Sequence, residues 1–400
     1  MATNNNDKTL NVPHLRFPEF SGEWEKYKLS EMCSFFSGGT PSSSKKEYYD
    51  GNIPFIRSGE LHDDQTELFI TEDGLKNSAA KMVEVGDLLL ALYGATSGDI
   101  AISKINGAIN QAILCIRTEQ SKKFIESIWY KHAGKLLQTY LQGGQGNLSA
   151  DIVKNISFYF ATIEEQKKLA KFISLLDERI STQNKIIEKY ESLIQVMCDT
   201  LIESELHKVE LAFSDFGESY SGLSGKSAED FGEGCPYITY MNVNQNQIID
   251  TTNVGLVKIN EAEQQSVVRY GDILFTLSSE TPEEVGMGAV YLGKTYPLFL
   301  NSFCFGVHIM DENKIFPPFL AYYVSTKSFR KAVFPLAQGS TRFNLQKNDF
   351  MKKIFSFPTV ERQKKIYLVL KAYSDKLSVE KSMAKLFCEH KNHLLRQLFI

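Results

Sequence analysis

GLSGKS at 222–227 is the stretch of this chain that comes nearest to a phosphate-cradling loop. The pattern GxxxxGK[ST] works because successive backbone N–H groups and a following helix N-terminus converge on phosphate. Tyr220 stands where the first glycine is required and no apolar helical pattern follows, so nucleotide binding is not predicted. IFPPF at 315–319 approaches the Asn/Asp-Pro-Pro-Tyr/Phe signature of amino-methyltransferases. Phe316 replaces the amide or carboxylate that this chemistry needs, and Pro317 and Pro318 read instead as the opening of a helix that begins near Phe319. His390 and His393 lie three apart on a predicted helix, but no further ligand has matching spacing, so they read as a solvated face and no metal is expected. Asp87 and Asp272 each follow glycine at the entrance to an apolar run, which is turn chemistry rather than acid–base chemistry. With no nucleophile beside a base, the chain reads as a binder and not an enzyme.

The positive signal is hydrogen-bonding polarity gathered in loops. In the first half these are Thr40, Ser42, Ser43, Lys45 and Lys46; then Tyr93, Thr96 and Ser97; then Gln145 and Asn147. In the second half they are Ser221, Ser224 and Lys226; Asn242 and Asn244; Ser278, Ser279 and Thr281; and Ser340, Thr341, Arg342 and Asn344. Such side chains hydrogen-bond phosphates and base edges; arginine pairs bidentately with guanine, asparagine and glutamine with adenine. Loops are polar for solubility alone, so no single residue carries the inference. The same loop positions being polar twice carries it, and double-stranded DNA is the expected partner.

These loops need a scaffold, and the longest predicted elements supply it. Ile163 to Leu206 contains neither Gly nor Pro and reads as one helix. Steps of four and three from Leu169 give Ile173, Leu176, Ile180, Gln183, Ile187, Tyr190, Ile194, Met197 and Leu201, an apolar seam broken only by Gln183. Val360 to Phe399 is likewise free of Gly and Pro. The spacing from Gln166 to Gln363 carries the seam onto Ile366, Leu370, Tyr373, Leu377, Glu380, Ala384, Phe387, Lys391, Leu394 and Leu398. At roughly 1.5 Å per residue, about 40 residues make a rod on the order of 60 Å.

Between the helices the chain repeats itself. GGTPSS followed by GNIPFI is echoed by SGLSGKS followed by CPYI, and the Gly86-Asp87 turn by Gly271-Asp272. The strand after Asn110 is echoed by the one after Asn301, and helix Phe124 to Leu141 by Phe319 to Ala332. The closing strands ISFYF and IFSF each lead into a long helix. The period is about 190 residues. The predicted fold class is α+β and internally duplicated: two globular α/β domains, 1–159 and 209–357, separated by two long antiparallel coiled-coil helices, 160–208 and 358–400. Such a duplication suits a bipartite target. Residues 1–12 read as a disordered arm, with the fold starting near Pro13.

Composition narrows the class. Four hundred residues, 43% apolar, suit two domains of about 150 plus the helices. A formal net charge of −4 provides no global field for nucleic acid, so local patches or a basic partner must neutralise phosphate. Six cysteines without CxxC spacing argue for reduced thiols. With no signal peptide or membrane-spanning run, a cytoplasmic protein without membrane contact is expected.

Assembled in this order, the sequence resembles the specificity subunit (HsdS) of type I restriction-modification systems along essentially its whole length. The opening VPHLRFPEFSGEW, GGTPSS with GNIPFI, the paired Gly-Asp turns, and the junctions ATIEEQKKL and PTVERQKKI carry the resemblance. The family usually has Pro-Pro before the Glu-Gln pair; here Ala161 and Thr162 replace both, and the second copy keeps only Pro358 and has Arg362 before Gln363. The second half has no counterpart of Trp24. The resemblance implies two target-recognition domains that each read a few base pairs of a split site. It also implies two methyltransferase subunits docked on the helices, with restriction/translocase subunits joining them. It places no cofactor in this chain; S-adenosylmethionine would belong to the methyltransferases. Half-sites about one helical turn apart, roughly 34–36 Å, fit the rod. An orphan or enzyme-fused DNA reader of the same fold remains open, as does a coiled-coil interaction scaffold.

Overall fold

The computed structural model describes residues 10–141, 147–260 and 262–400, so Gln145 and most of the expected N-terminal arm lie outside it. The fold reaches back before Pro13: the Trp24 N–H donates to the Asn11 carbonyl at 2.8 Å. The Asn11 side-chain amide donates to Glu23 at 3.0 Å.

Each half is organised on a four-stranded antiparallel sheet of one order. In the first it runs Ser34–Ser37, Ile113–Arg117, Leu88–Ala91, Ile100–Ile102. In the second it runs Gly217–Ser221, Cys304–Ile309, Ile273–Thr276, Gly288–Val290. The central strands LLLA and ILFT are apolar at nearly every position because both faces are covered. Leu88 and Leu90 enter a large core with Trp129, Phe124 and Phe158, while Leu89 and Ala91 enter a smaller one with Ile56, Val83 and Ile109. In the second half Ile273 and Phe275 face a phenylalanine-rich core, and Leu274 faces Ile238, Val243 and Leu298.

The smaller layer is a second sheet. In the first half it holds Tyr49–Ile56, longer than the expected Ile53–Ile56, between Phe69–Ile70 and Gly107–Ile109, with Lys81–Val83 beyond. In the second half Phe231–Ile238 lies between Gly255–Val257 and Phe299–Leu300. The expected helix after the sheet is Lys122–Leu141 in the first half. In the second half, the helix expected over 319–332 is instead two pieces, Pro317–Tyr323 and Lys327–Val333. Thr326 causes the break: its extended backbone and its hydroxyl, which accepts the Phe329 N–H, start a new helix. Pro317 and Pro318 occupy the first turn of the first piece.

The long helices run Ile163–Glu203 and Val360–Leu398. Leu169, Ile173, Ile194, Ile366, Leu370 and Leu394 are buried, and Leu176, Ile180, Ile187 and Leu377 half-buried, so the seam faces inward along both helices. Gln183 and Glu380, the polar breaks in the seam, are buried too. Each compact unit takes in part of both long helices. The compact units are the chain through Asn184 with Met383–Ile400, and Lys185–Ser382. The reason is packing: Leu169, Ile173, Leu394 and Leu398 belong to the first core, and Ile194, Cys198, Ile366 and Leu370 to the second. Within the first unit the helices are antiparallel, with Lys391 bonded to Asp177 at 2.5 Å and Arg179 over the Phe387 ring at 5.1 Å. Within the second, Lys381 meets Glu191 at 2.7 Å.

One glutamine fixes each helix start. The Gln166 amide donates to the Ala161 carbonyl at 2.9 Å, and its oxygen accepts the Ser121 N–H at 3.2 Å. Gln363 donates to the Pro358 carbonyl at 2.8 Å and accepts the Phe316 N–H at 2.8 Å. Both are fully buried. Each pins strand, long helix and preceding helix together, and the exchange of proline for Ala161 and Thr162 leaves this geometry intact.

Candidate nucleic-acid interface

The predicted loops converge at one end of each four-stranded sheet, joined by matching backbone bonds. In the first module Gly39 N–H donates to Ile109 O at 3.2 Å, Leu92 N–H to Ala112 O at 2.7 Å, and Leu148 N–H to Leu92 O at 3.0 Å. In the second, Leu223 N–H donates to Leu300 O at 2.7 Å, Leu277 N–H to Phe303 O at 2.8 Å, and Leu345 N–H to Leu277 O at 2.8 Å. Asn110 accepts the Ala112 N–H at 3.0 Å and Asn301 the Phe303 N–H at 2.9 Å, turning the chain at the same place. Gly38 and Gly222 make the approach possible. A Cβ would lie 1.8 Å from the Ile109 carbonyl oxygen in one case and 2.0 Å from that of Asn301 in the other.

On the first module's face Thr40, Ser42, Ser43, Lys45, Lys46, Tyr93 and Asn147 are exposed and Thr96 is half-buried. Thr40 hydrogen-bonds Gln111, joining the first loop to the Asn110 turn. Lys45 sits over the Tyr48 ring at 4.9 Å, a partly ordered cation. Ser97 turns inward, its hydroxyl donating to the Leu92 carbonyl at 3.0 Å.

On the second, Ser221, Ser224, Thr281, Ser340, Thr341, Arg342 and Asn344 are exposed. Other expected contacts serve the fold instead. Asn242 is 1% exposed, and its amide donates to Asp250 O at 2.8 Å and Asn253 O at 2.7 Å, closing a loop. The Lys226 side chain is 4% exposed and paired with Glu263 at 2.5 Å, so GLSGKS presents no free ammonium. Only a three-residue 3-10 turn, Ala228–Asp230, and then the strand Phe231–Ile238 follow it, so the loop leads into no α-helix whose N-terminus could hold phosphate. Ser278 and Ser279 are buried; the Ser279 hydroxyl donates to Glu284 at 2.9 Å, and Ser278 O accepts from Tyr240 OH at 2.8 Å. Asn244 is half-buried and lines a cavity of about 410 Å³ with Ser279, Glu284, Phe303 and Arg342.

Phe303 is the residue that sequence reasoning missed. Placed inside an apolar strand by pattern, it is 51% exposed because the Asn301 turn puts it before the strand begins. Asn-Ser ahead of an apolar run was the available signal.

The Gly-Asp turns lie at the opposite end of the sheets. Asp87 accepts the Glu84 N–H at 3.1 Å and meets Arg117 at 2.7 Å. Asp272 accepts the Arg269 N–H at 2.8 Å. Burial pushes the Asp87 carboxyl up, but Arg117 and the Glu84 N–H outweigh it and hold it below its ordinary value. Both carboxylates are thus committed to structure. His390 and His393 are exposed, and among the described residues no group of His, Cys, Asp or Glu is placed to hold a metal. All six cysteines are free thiols, and no described helix is long and apolar enough to cross a membrane.

The profile described as the type I restriction modification DNA specificity domain matches this chain twice, over residues 21–192 and 212–385. The chain belongs to that family. This specificity protein is 23% identical over 393 residues to the type I restriction enzyme MjaVIII specificity subunit of Methanocaldococcus jannaschii, spanning 92% of this chain and 89% of that one. It is 25% identical over 185 residues to the EcoR124I/EcoR124II specificity subunit of Escherichia coli, spanning 44% and 45%. Its fold resembles the type I S subunit from M. genitalium at 17% identity with a TM-score of 0.55, over 97% and 99% of the chains. A chain from a structural study of type I R-M complex assembly and conformational transition gives 0.58 at 15% identity, over 94% and 97%. The tandem match coincides with the duplicated sheet and loop geometry: two DNA specificity domains, each with its own loop-bearing end.

Proposed function

We propose that this chain is the non-catalytic reader of a cytoplasmic type I restriction-modification complex, with each module reading one half of a split double-stranded DNA site. The observation that carries this reading is the duplicated loop end, where the same backbone bonds gather several polar loops twice on one chain. Methyltransferase subunits dock on the long helices, restriction/translocase subunits join them, and S-adenosylmethionine resides in the methyltransferase. Exposed apolar side chains on those helices support docking: Leu175 and Leu386 in one unit, Leu193, Val196 and Leu368 in the other. Modifying a base requires lifting it from the stack into an enzyme pocket, a step this chain can leave to its partner. Sharing phosphate contacts with partners also accommodates the net charge of −4.

The test is co-expression with the neighbouring methyltransferase, followed by genome-wide sequencing of modified adenines. A split motif with two short halves and a fixed gap is expected. Exchanging the loops of the first module for those of a relative should change one half alone. A contiguous motif, or both halves changing together, would refute independent reading.

A further inference from the structure

Within the second module, and resting on the DNA-reading function proposed above, we infer that Arg342 carried on the Phe303 ring reads the guanine of a G·C pair, with Asn244 accepting from the paired cytosine. Phe303 is held on both sides of its peptide, its N–H donating to Asn301 and its carbonyl accepting from Leu277, while its ring projects from the face. Cavities of about 410 and 400 Å³ both have this ring in their walls. The Arg342 guanidinium lies 5.5 Å from the ring centroid, and no ion pair among the described residues involves it. Its backbone is fixed as well. Gly339, at φ +144°, lets the hairpin turn so tightly that a Cβ there would fall 2.0 Å from the Arg342 carbonyl oxygen. An arginine stacked on an aromatic ring keeps its planar fork ordered before it meets a ligand.

Asn244, in the wall of the same cavity, carries an unmatched acceptor. Asn244 Oδ1 is shielded from solvent and has no hydrogen-bond partner among the described residues. Buried acceptors are normally satisfied, so turning the Asn244 amide toward the cavity, where an amine donor reaches Oδ1, would supply the partner this atom lacks. In the major groove guanine presents two acceptors, N7 and O6, and cytosine an N4 amine. A donor fork and an amide oxygen carried by two walls of one cavity complement that pattern. An A·T pair in the same orientation would set the adenine amine against the guanidinium and thymine O4 against Asn244, pairing like with like.

The experiment compares methylation motifs written by the intact complex carrying wild-type chain, Arg342→Ala, Arg342→Lys or Asn244→Leu. The wild-type motif should contain a G·C pair in the second module's half. Arg342→Ala should cut discrimination at that one pair by about 10- to 100-fold and leave the other half unchanged. Arg342→Lys retains charge without the bidentate fork and should relax the same position. Asn244→Leu should relax that pair and no other. A uniform fall in modification at all sites, with weaker salt dependence, would make Arg342 a phosphate contact and overturn the inference. So would a half-site without a G·C pair. A wild-type complex that writes no split motif would instead overturn the reader function beneath it.

Discussion

Asp87 and Asp272 occupy one place in a duplicated fold, yet each is held by different chemistry. Arg117 bonds Asp87 and lies over the Phe36 ring at 5.0 Å, with the Lys122 ammonium 3.5 Å from the carboxylate. In the second module His308 Nδ1 lies 2.9 Å from Asp272, the Tyr220 hydroxyl donates at 2.8 Å, and the imidazole stacks on the Tyr220 ring at 4.1 Å. Carboxylate, nitrogen base and ring recur together with two of the three members exchanged. What the duplication retains is a constraint: the carboxylate that closes the Gly-Asp turn is buried, so its oxygens must be satisfied.

The helix junctions teach the same lesson with the charge reversed. Glu165 is 1% exposed, bonded by Arg16 at 2.7 Å and by the Trp24 indole at 3.3 Å. Arg362, which precedes Gln363 in the second copy, meets Glu205 at 2.6 Å. The second module needs no tryptophan here because its junction cation finds a carboxylate instead.

The comparison can be broken most severely at Asp272. Asp272→Ala strands three donors in a site 2% exposed and should cost about 3–5 kcal/mol, read by urea unfolding. Arg117→Ala should cost about 1–3 kcal/mol, because the arginine is half-exposed and Lys122 stays near the carboxylate. A larger loss from Arg117 than from Asp272 would reverse this ranking. The pairing also sets a pH signature. Because the folded Asp87 pKa is depressed, its stabilisation is present above the unfolded value, about 3.9, and fades as pH falls through the folded one. Acid unfolding should therefore shift upward in pH in Arg117→Ala.

The smallest expected effect is at His62, whose bond to Asp99 raises its pKa despite partial burial. This contribution is fully present below the unfolded value, about 6.5, and is lost as pH rises through the folded one. NMR titration should find His62 above about 6.5, and Asp99→Asn should lower it. The stability change should stay under about 1 kcal/mol, since the pair is largely exposed.

Much of this was legible in the chain itself. The seam of Leu169, Ile173, Ile194, Leu370 and Leu394 follows from helical periodicity, and the matched Gly-Asp turns and Gln166 with Gln363 announce the duplication. Loop polarity nominated the candidate face. It could not sort outward from inward side chains. Asn242, Lys226 and Ser279 have the composition of readers, but each found a partner within the fold. Local sequence thus determined the elements, their order and their repeat, because periodicity and turn chemistry act over a few residues. Which polar groups remain free, and that Phe303, Arg342 and Asn244 share one cavity, was decided by tertiary structure. A hydrogen bond or a stacked ring depends on groups brought together from distant parts of the chain.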